Sequence, residues 1–157
     1  MVGDIALVIT AVGVLGAVYG LRQSYRERLR QFEAMYVQRY WSILDRLSLE
    51  ALKGSDPEFI SKADELAIRA YIQLCEDELE MRAAGYIGDG TYILWADGML
   101  EQFNQSMFSR IWKQISDESN FPYVHLTELM KQDGVYDPCR LHSWQRHMRG
   151  LAGLSGV

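Results

Sequence analysis

An all-α protein is what this sequence predicts: a single N-terminal transmembrane helix continuing into a stalk helix and a small cytoplasmic helical bundle. Three observations predict it. Residues Ile5 to Leu21 form an uninterrupted run of 17 uncharged, mostly apolar side chains. Apolar residues recur at spacings of 3 and 4 through most of the remaining chain, the period of a helix with one buried face. Only three prolines occur in 157 residues, and strand-like alternation is scarce after position 21.

The apolar run is the first element. At 1.5 Å per residue its 17 residues reach about 25 Å, the short end of what spans a hydrocarbon core, and snorkelling by Arg22 or Arg26 extends the reach. A cleaved signal peptide is the competing reading, but it calls for a positive N-terminal segment. Here Met-Val-Gly-Asp carries no Lys or Arg, whereas Arg22, Arg26, Arg28 and Arg30 lie on the far side of the run. The expectation is an uncleaved anchor over residues 1–21, N-terminus out, with the rest of the chain cytoplasmic at a bacterial inner membrane. Gly16 and Gly20 form a GxxxG, and Gly13 with Ala17 adds a second small pair, so one face is nearly bare and suited to another transmembrane helix, either its own copy or part of a larger complex.

Residues 22–138 form the second expected unit. Leu29, Phe32, Tyr36, Tyr40, Ile43, Leu47 and Ala51 line one face of a stalk that meets no breaker before Gly54. Aromatic residues at 32, 36 and 40 favour packing of this face on the later helices over a coiled coil. Gly54-Ser55-Asp56-Pro57 ends the stalk. Ser61 with Asp64 and Glu65 reads as an N-cap and acidic first turn of a helix running to about Ala84, with Ala63, Leu66, Ala67, Ala70, Tyr71, Leu74, Cys75 and Leu79 inward and Gly85 as its stop. A third helix is expected from about Thr91 to Phe108, a shorter piece from Ser109 to Ile115, and another turn or helix from Asn120 through Met130. Asp133-Gly134 and Asp137-Pro138 mark loops.

Residues 139–157 are the third unit, a basic amphipathic tail. Leu141, Trp144, Met148 and Leu151 share one face, while Arg140, Arg146 and Arg149 fill other positions without any acidic neighbour. With Arg22, Arg26, Arg28 and Arg30, these residues and Trp144 are candidates for contact with anionic headgroups, each basic side chain contributing about 1 kcal/mol near the surface. The lipid bilayer is accordingly one expected partner. Between the two basic ends, residues 31–138 hold 9 basic and 19 acidic side chains, a net of −10. Nucleic acid is excluded as a partner of the body, since phosphate binding needs concentrated positive charge.

Chemistry-bearing motifs are sparse. Glu76 and Glu80 stand i, i+4 on one helical face, a placement that can ligate metal in a bundle, but the di-metal bundles pair Glu with a His three residues on and none occurs here. A solvated acidic face, with Glu78 and Arg82 in an i, i+4 salt bridge, is the preferred reading of Glu76-Asp77-Glu78-Leu79-Glu80. Cys139, His142 and His147 would need a fourth ligand to close a zinc site. Cys75 reads as a small buried hydrophobe. The glycines match no phosphate-binding loop, and no nucleophile elbow is present. No cofactor is called for.

The stretch Tyr71-Ile72-Gln73-Leu74-Cys75-Glu76-Asp77-Glu78-Leu79-Glu80-Met81-Arg82-Ala83-Ala84-Gly85-Tyr86-Ile87, followed by Trp95 and Met99, resembles an uncharacterised family, a domain of unknown function, of small bacterial proteins with one N-terminal transmembrane helix and a cytoplasmic helical domain. The resemblance covers about 40 residues and implies a fold and an address without an activity. Together these features point to a non-enzymatic, membrane-anchored interaction protein, an accessory or assembly subunit of a membrane complex. The alternatives are a membrane-tethered effector or exclusion protein of phage conflict, and a metal-dependent enzyme using Glu76 and Glu80.

Overall fold

The computed structural model describes residues 2–118 and 122–139 together with 144, 145 and 148; for residues 2–9 and 11 it describes the backbone alone. Six helices and no strand occur among the described residues: α1 (Val2–Leu44), α2 (Leu49–Leu52), α3 (Lys62–Ala83), α4 (Asp89–Phe103), α5 (Ser106–Ser116) and α6 (Val124–Lys131). The all-α expectation holds.

α3 is the axis of the bundle. α1, α5 and α6 all pack against it, and α4 packs on α5. It earns that position by burial on more than one side: Ala67, Ile68, Tyr71, Ile72, Leu74, Cys75 and Leu79 are all buried. A helix apolar around so much of its circumference is stable only with neighbours on several flanks. Leu66, expected inward, is exposed, because the buried sector rotates toward Ile68 and Ile72 instead.

Among the described side chains, α1 joins the bundle through its second half. Tyr36 and Ile43 are buried, and Phe32, Tyr40 and Leu44 pack partly against the core. Phe32 stacks at a tilt on Tyr36 and Tyr86 with ring centroids 5.0 and 5.8 Å apart, so the aromatic face does turn toward the later helices.

Two helices are broken where no break was expected. α1 stops at Leu44 rather than near Gly54, and Ser48 caps the short α2 by accepting from the Ala51 N–H at 3.2 Å. The corner is held from α3: the Ser48 N–H donates to Asp64 Oδ1 at 2.7 Å, while Ser61, the N-cap of α3, donates to Asp64 Oδ2 at 2.6 Å. One buried carboxylate therefore fixes two helix starts. The expected helix from Thr91 to Phe108 is likewise two helices, parted at Asn104 and Gln105. Ser106, opening α5, reaches Asp56 across the bundle, and Arg110 donates to the Pro57 carbonyl at 2.6 Å, contacts that a straight helix would misplace.

The C-terminal end of α3 is closed by a charge cluster. Gly85 takes φ +81°, the left-handed turn that ends the helix, and the chain doubles back over Arg82. This guanidinium, 3% exposed, makes a bidentate pair with Asp137 (3.0 and 2.8 Å), an ion pair with Asp89 at 2.6 Å, and a hydrogen bond to the Ile87 carbonyl at 2.8 Å. It also lies over the Tyr92 ring, 4.9 Å from the centroid. Burial works against its charge, but Asp137 and Asp89 outweigh that and hold the pKa above the ordinary arginine value. The expected Glu78–Arg82 pair does not form, because better-placed carboxylates arrive from outside the helix.

Replacing Arg82 by Met keeps its volume and strands two carboxylates that remain partly hydrated. The expected cost is about 3 kcal/mol, the low end for breaking a buried pair. Asp137→Asn should cost more than Asp89→Asn, since Asp137 carries the bidentate contact. Denaturant midpoints of the three variants check the order.

Candidate functional site

Two features stand outside ordinary bundle packing, and the first is the exposed stretch of α1 from Val12 to Ser24. Every residue from Val12 to Ser24 is exposed, including Val12 at 64%, Leu15 at 69% and Leu21 at 72%. A Cβ built on Gly13, Gly16 or Gly20 would meet nothing within 4 Å; Ala17 shares this uncovered stretch. Arg22, Arg26, Arg28 and Arg30, next along the helix, are exposed as well. Trp144 of the tail is 65% exposed, while Arg140, Arg146, Arg149, His142 and His147 lie outside the described residues. Among the described residues, no helix is long and apolar enough to cross a membrane. The side chains of residues 2–9 and 11, about a third of the apolar run among them, are not described.

The second feature is a half-open pocket of about 270 Å³ where α1, α3 and α4 meet. Val37, Tyr40 and Trp41 of α1, Tyr71 and Glu78 of α3, and Leu94, Trp95, Gly98 and Met99 of α4 line it. A larger hollow of 350 Å³ runs past Tyr19, Arg22, Arg26 and Arg30, but it is built from exposed side chains of one helix, so nothing there excludes water. The smaller pocket has walls. Tyr40 meets Trp41 edge-on at 5.4 Å and Tyr71 at 6.1 Å, and Tyr36 backs Trp95 at 6.1 Å.

Glu78 is the polar group in this apolar setting. It is 8% exposed, and among the described residues no hydrogen bond or ion pair reaches it. Burial raises its pKa to about 8, with Arg39 opposing and Asp77 reinforcing the shift. Arg39 is committed elsewhere, donating to Asp77 at 2.7 Å. At neutral pH Glu78 is thus largely a neutral acid, a group that can hold or release a proton close to pH 7. Burial also raises the neighbouring Cys75 thiol and Tyr40 phenol, so both are neutral there too.

The acidic run that contains Glu78 is therefore not a solvated face. Only Glu80 and Asp77 keep substantial contact with water. Glu76 is buried and accepts from the His125 and Leu126 N–H groups at 2.9 and 2.8 Å, capping α6, which has no side-chain cap of its own. With both Glu76 oxygens engaged at a helix start, Glu76 and Glu80 do not assemble as a metal pair. No group of His, Cys, Asp and Glu among the described residues is arranged to hold a metal. Cys139 is buried, and its backbone N–H donates to Asp137 Oδ1 at 2.9 Å.

Sequence reasoning missed the pocket, yet a signal was present. Tyr71, Cys75, Glu78 and Arg82 follow the i, i+4, i+7, i+11 pattern of one buried stripe, so two charged residues fall where apolar ones belong. Comparison with known proteins adds no guide: no family model, curated protein or solved structure matches this chain.

The raised pKa of Glu78 has a definite effect on stability. Between the ordinary value of 4.5 and about 8, the folded chain keeps a proton that the unfolded chain releases. Stability therefore falls as pH rises through that window, by up to about 3–5 kcal/mol. Glu78→Gln should remove this component of the slope, leaving stability near that of the parent at pH 5 and higher than it at pH 9. Urea titrations of both chains at the two pH values test this, and parallel profiles would refute it.

Proposed function

We propose that the chain is a membrane-anchored helical interaction protein, an accessory or assembly subunit that brings its helical domain to a membrane complex. Residues 1–21 form the anchor, residues 22–138 the cytoplasmic domain, and residues 139–157 a basic tail at the same surface. The observation that carries this reading is the exposed stretch of α1: large apolar side chains from Val12 to Leu21 stand exposed on the same helix that packs into the bundle further on. Exposed apolar surface of this extent needs a cover, and an uncharged run of 17 residues ending at four arginines matches lipid followed by a headgroup layer.

Lipid alone would not require small residues. Gly13, Gly16, Ala17 and Gly20 on one flank permit the close backbone approach by which transmembrane helices associate, which favours a subunit over a bare tether. The bundle itself supports an interaction role, its buried polar groups Asp64, Glu76 and Arg82 being engaged in holding helices together.

Cell fractionation tests the anchor. The full chain should sediment with membranes and resist alkaline extraction. Val12→Arg combined with Leu15→Arg, each charge costing about 2.5–3.5 kcal/mol at a helix centre, should shift it to the soluble or extractable fraction. Recovery of the parent in the soluble fraction would sink the proposal.

Gly16→Leu tests the docking face separately. It should leave membrane recovery intact while reducing the chains that co-purify in mild detergent. Unchanged co-purification would mean that the small residues have no docking role.

A further inference from the structure

Each of the other buried charged side chains among the described residues has a built partner set: Asp64 joins Ser48 and Ser61, Glu76 caps α6, and Arg82 meets Asp137 and Asp89. Glu78, 8% exposed, lines the α1–α3–α4 pocket and has none among the described residues. A carboxylate so placed is costly unless a cation joins it.

Among the described residues, the fold supplies no such cation. Arg39 of α1, a basic group close enough to influence Glu78, is turned to Asp77 on the same side of α3. The other titratable neighbours are Tyr36 and Tyr40 of α1, and Tyr71, Cys75 and Asp77 of α3; on α4, Glu101 acts on Tyr40. All of these are neutral or negative. The walls meanwhile hold Tyr40, Trp41, Tyr71 and Trp95, and aromatic rings attract cations, above all weakly hydrated organic ones.

We propose that this pocket binds a small organic ammonium ion, its charged head against the Glu78 carboxylate and its alkyl groups among the rings of Tyr40, Trp41 and Trp95. A hard metal ion would seek six or more oxygens, and the pocket offers one carboxyl among aromatic and aliphatic groups. Its volume of 270 Å³ lies just under the range of pockets for drug-sized ligands, suiting a head of the size of trimethylammonium. The inference does not depend on the anchor.

Binding must draw Glu78 into its ionised form and release its proton. From a free-state value of about 8, the ionised fraction rises on the order of a hundredfold between pH 6 and pH 9, and affinity for a non-titrating cation should rise with it.

The test is a titration of the purified full chain, in a maltoside detergent, with choline, monitored by tryptophan fluorescence. Saturable binding is expected, strengthening by fifty- to a hundredfold from pH 6 to pH 9. The uncharged carbon isostere 3,3-dimethylbutanol should bind at least tenfold more weakly at pH 9. Glu78→Gln should weaken choline binding at least tenfold and abolish its pH dependence. A second variant guards against misfolding: nothing lies within 4 Å of a Cβ at Gly98, so Gly98→Leu can fill the mouth without disturbing the helix, and it should block choline while the circular dichroism spectrum stays unchanged. Competition by soluble choline against phosphatidylcholine vesicles then distinguishes a free ion from a lipid headgroup as the source. Absence of saturable binding, equal binding of the isostere, or full binding by either variant would overturn the proposal.

Discussion

The closure of Arg82 by Asp137, Asp89 and the Ile87 carbonyl is the interaction on which the rest of the bundle depends. Arg82 stands at the last turn of α3, Asp89 opens α4, and Asp137 lies beyond α6. A single guanidinium thus joins three segments spread over more than fifty residues. Its five N–H donors in a planar fork suit several acceptors at once, and Tyr92, stacked beneath it, donates to the Tyr136 carbonyl and so seals the same junction. This cluster ties the turn after Gly85 and the loop after α6 to the end of α3.

The same principle recurs along α3. Asp64 at its start sets the α1–α2 corner, and Glu76 at its middle caps α6. Each buried charge is met by backbone N–H groups or opposite charge, which is how a low-dielectric interior tolerates ions. Glu78 departs from that rule. Its position in the stripe of Tyr71 and Cys75 places it beneath a pocket, and the fold accommodates it by keeping it protonated rather than paired. Three of the buried charged groups serve the architecture, and the fourth lines the pocket.

α1 divides by environment, not by helicity. Over 43 residues it is one helix, about 65 Å long at 1.5 Å per residue. Its second half is held by Tyr36 and Ile43 in the core, while the stretch from Val12 to Ser24 meets no bundle surface that buries it.

Much of this was legible in the residues themselves. The apolar run, the bare face of Gly13, Gly16 and Gly20, the Ser61 cap and the Gly85 stop are all local patterns, set by neighbours three or four positions away, and they locate the first part of α1 and both ends of α3. Tertiary structure decided the rest. The break at Ser48 depends on Asp64, sixteen residues on, and the break before Ser106 on contacts with Asp56 and Pro57, about fifty residues back. The fate of the acidic run turned on the same distance: Glu76, Glu78 and Arg82 read locally as a solvated, self-paired surface. Only the arrival of α6, α4 and the Asp137 loop made one a cap, one a hub and one a buried acid. Local periodicity determines where a helix can form, but charge burial is settled by partners that the chain brings from far away.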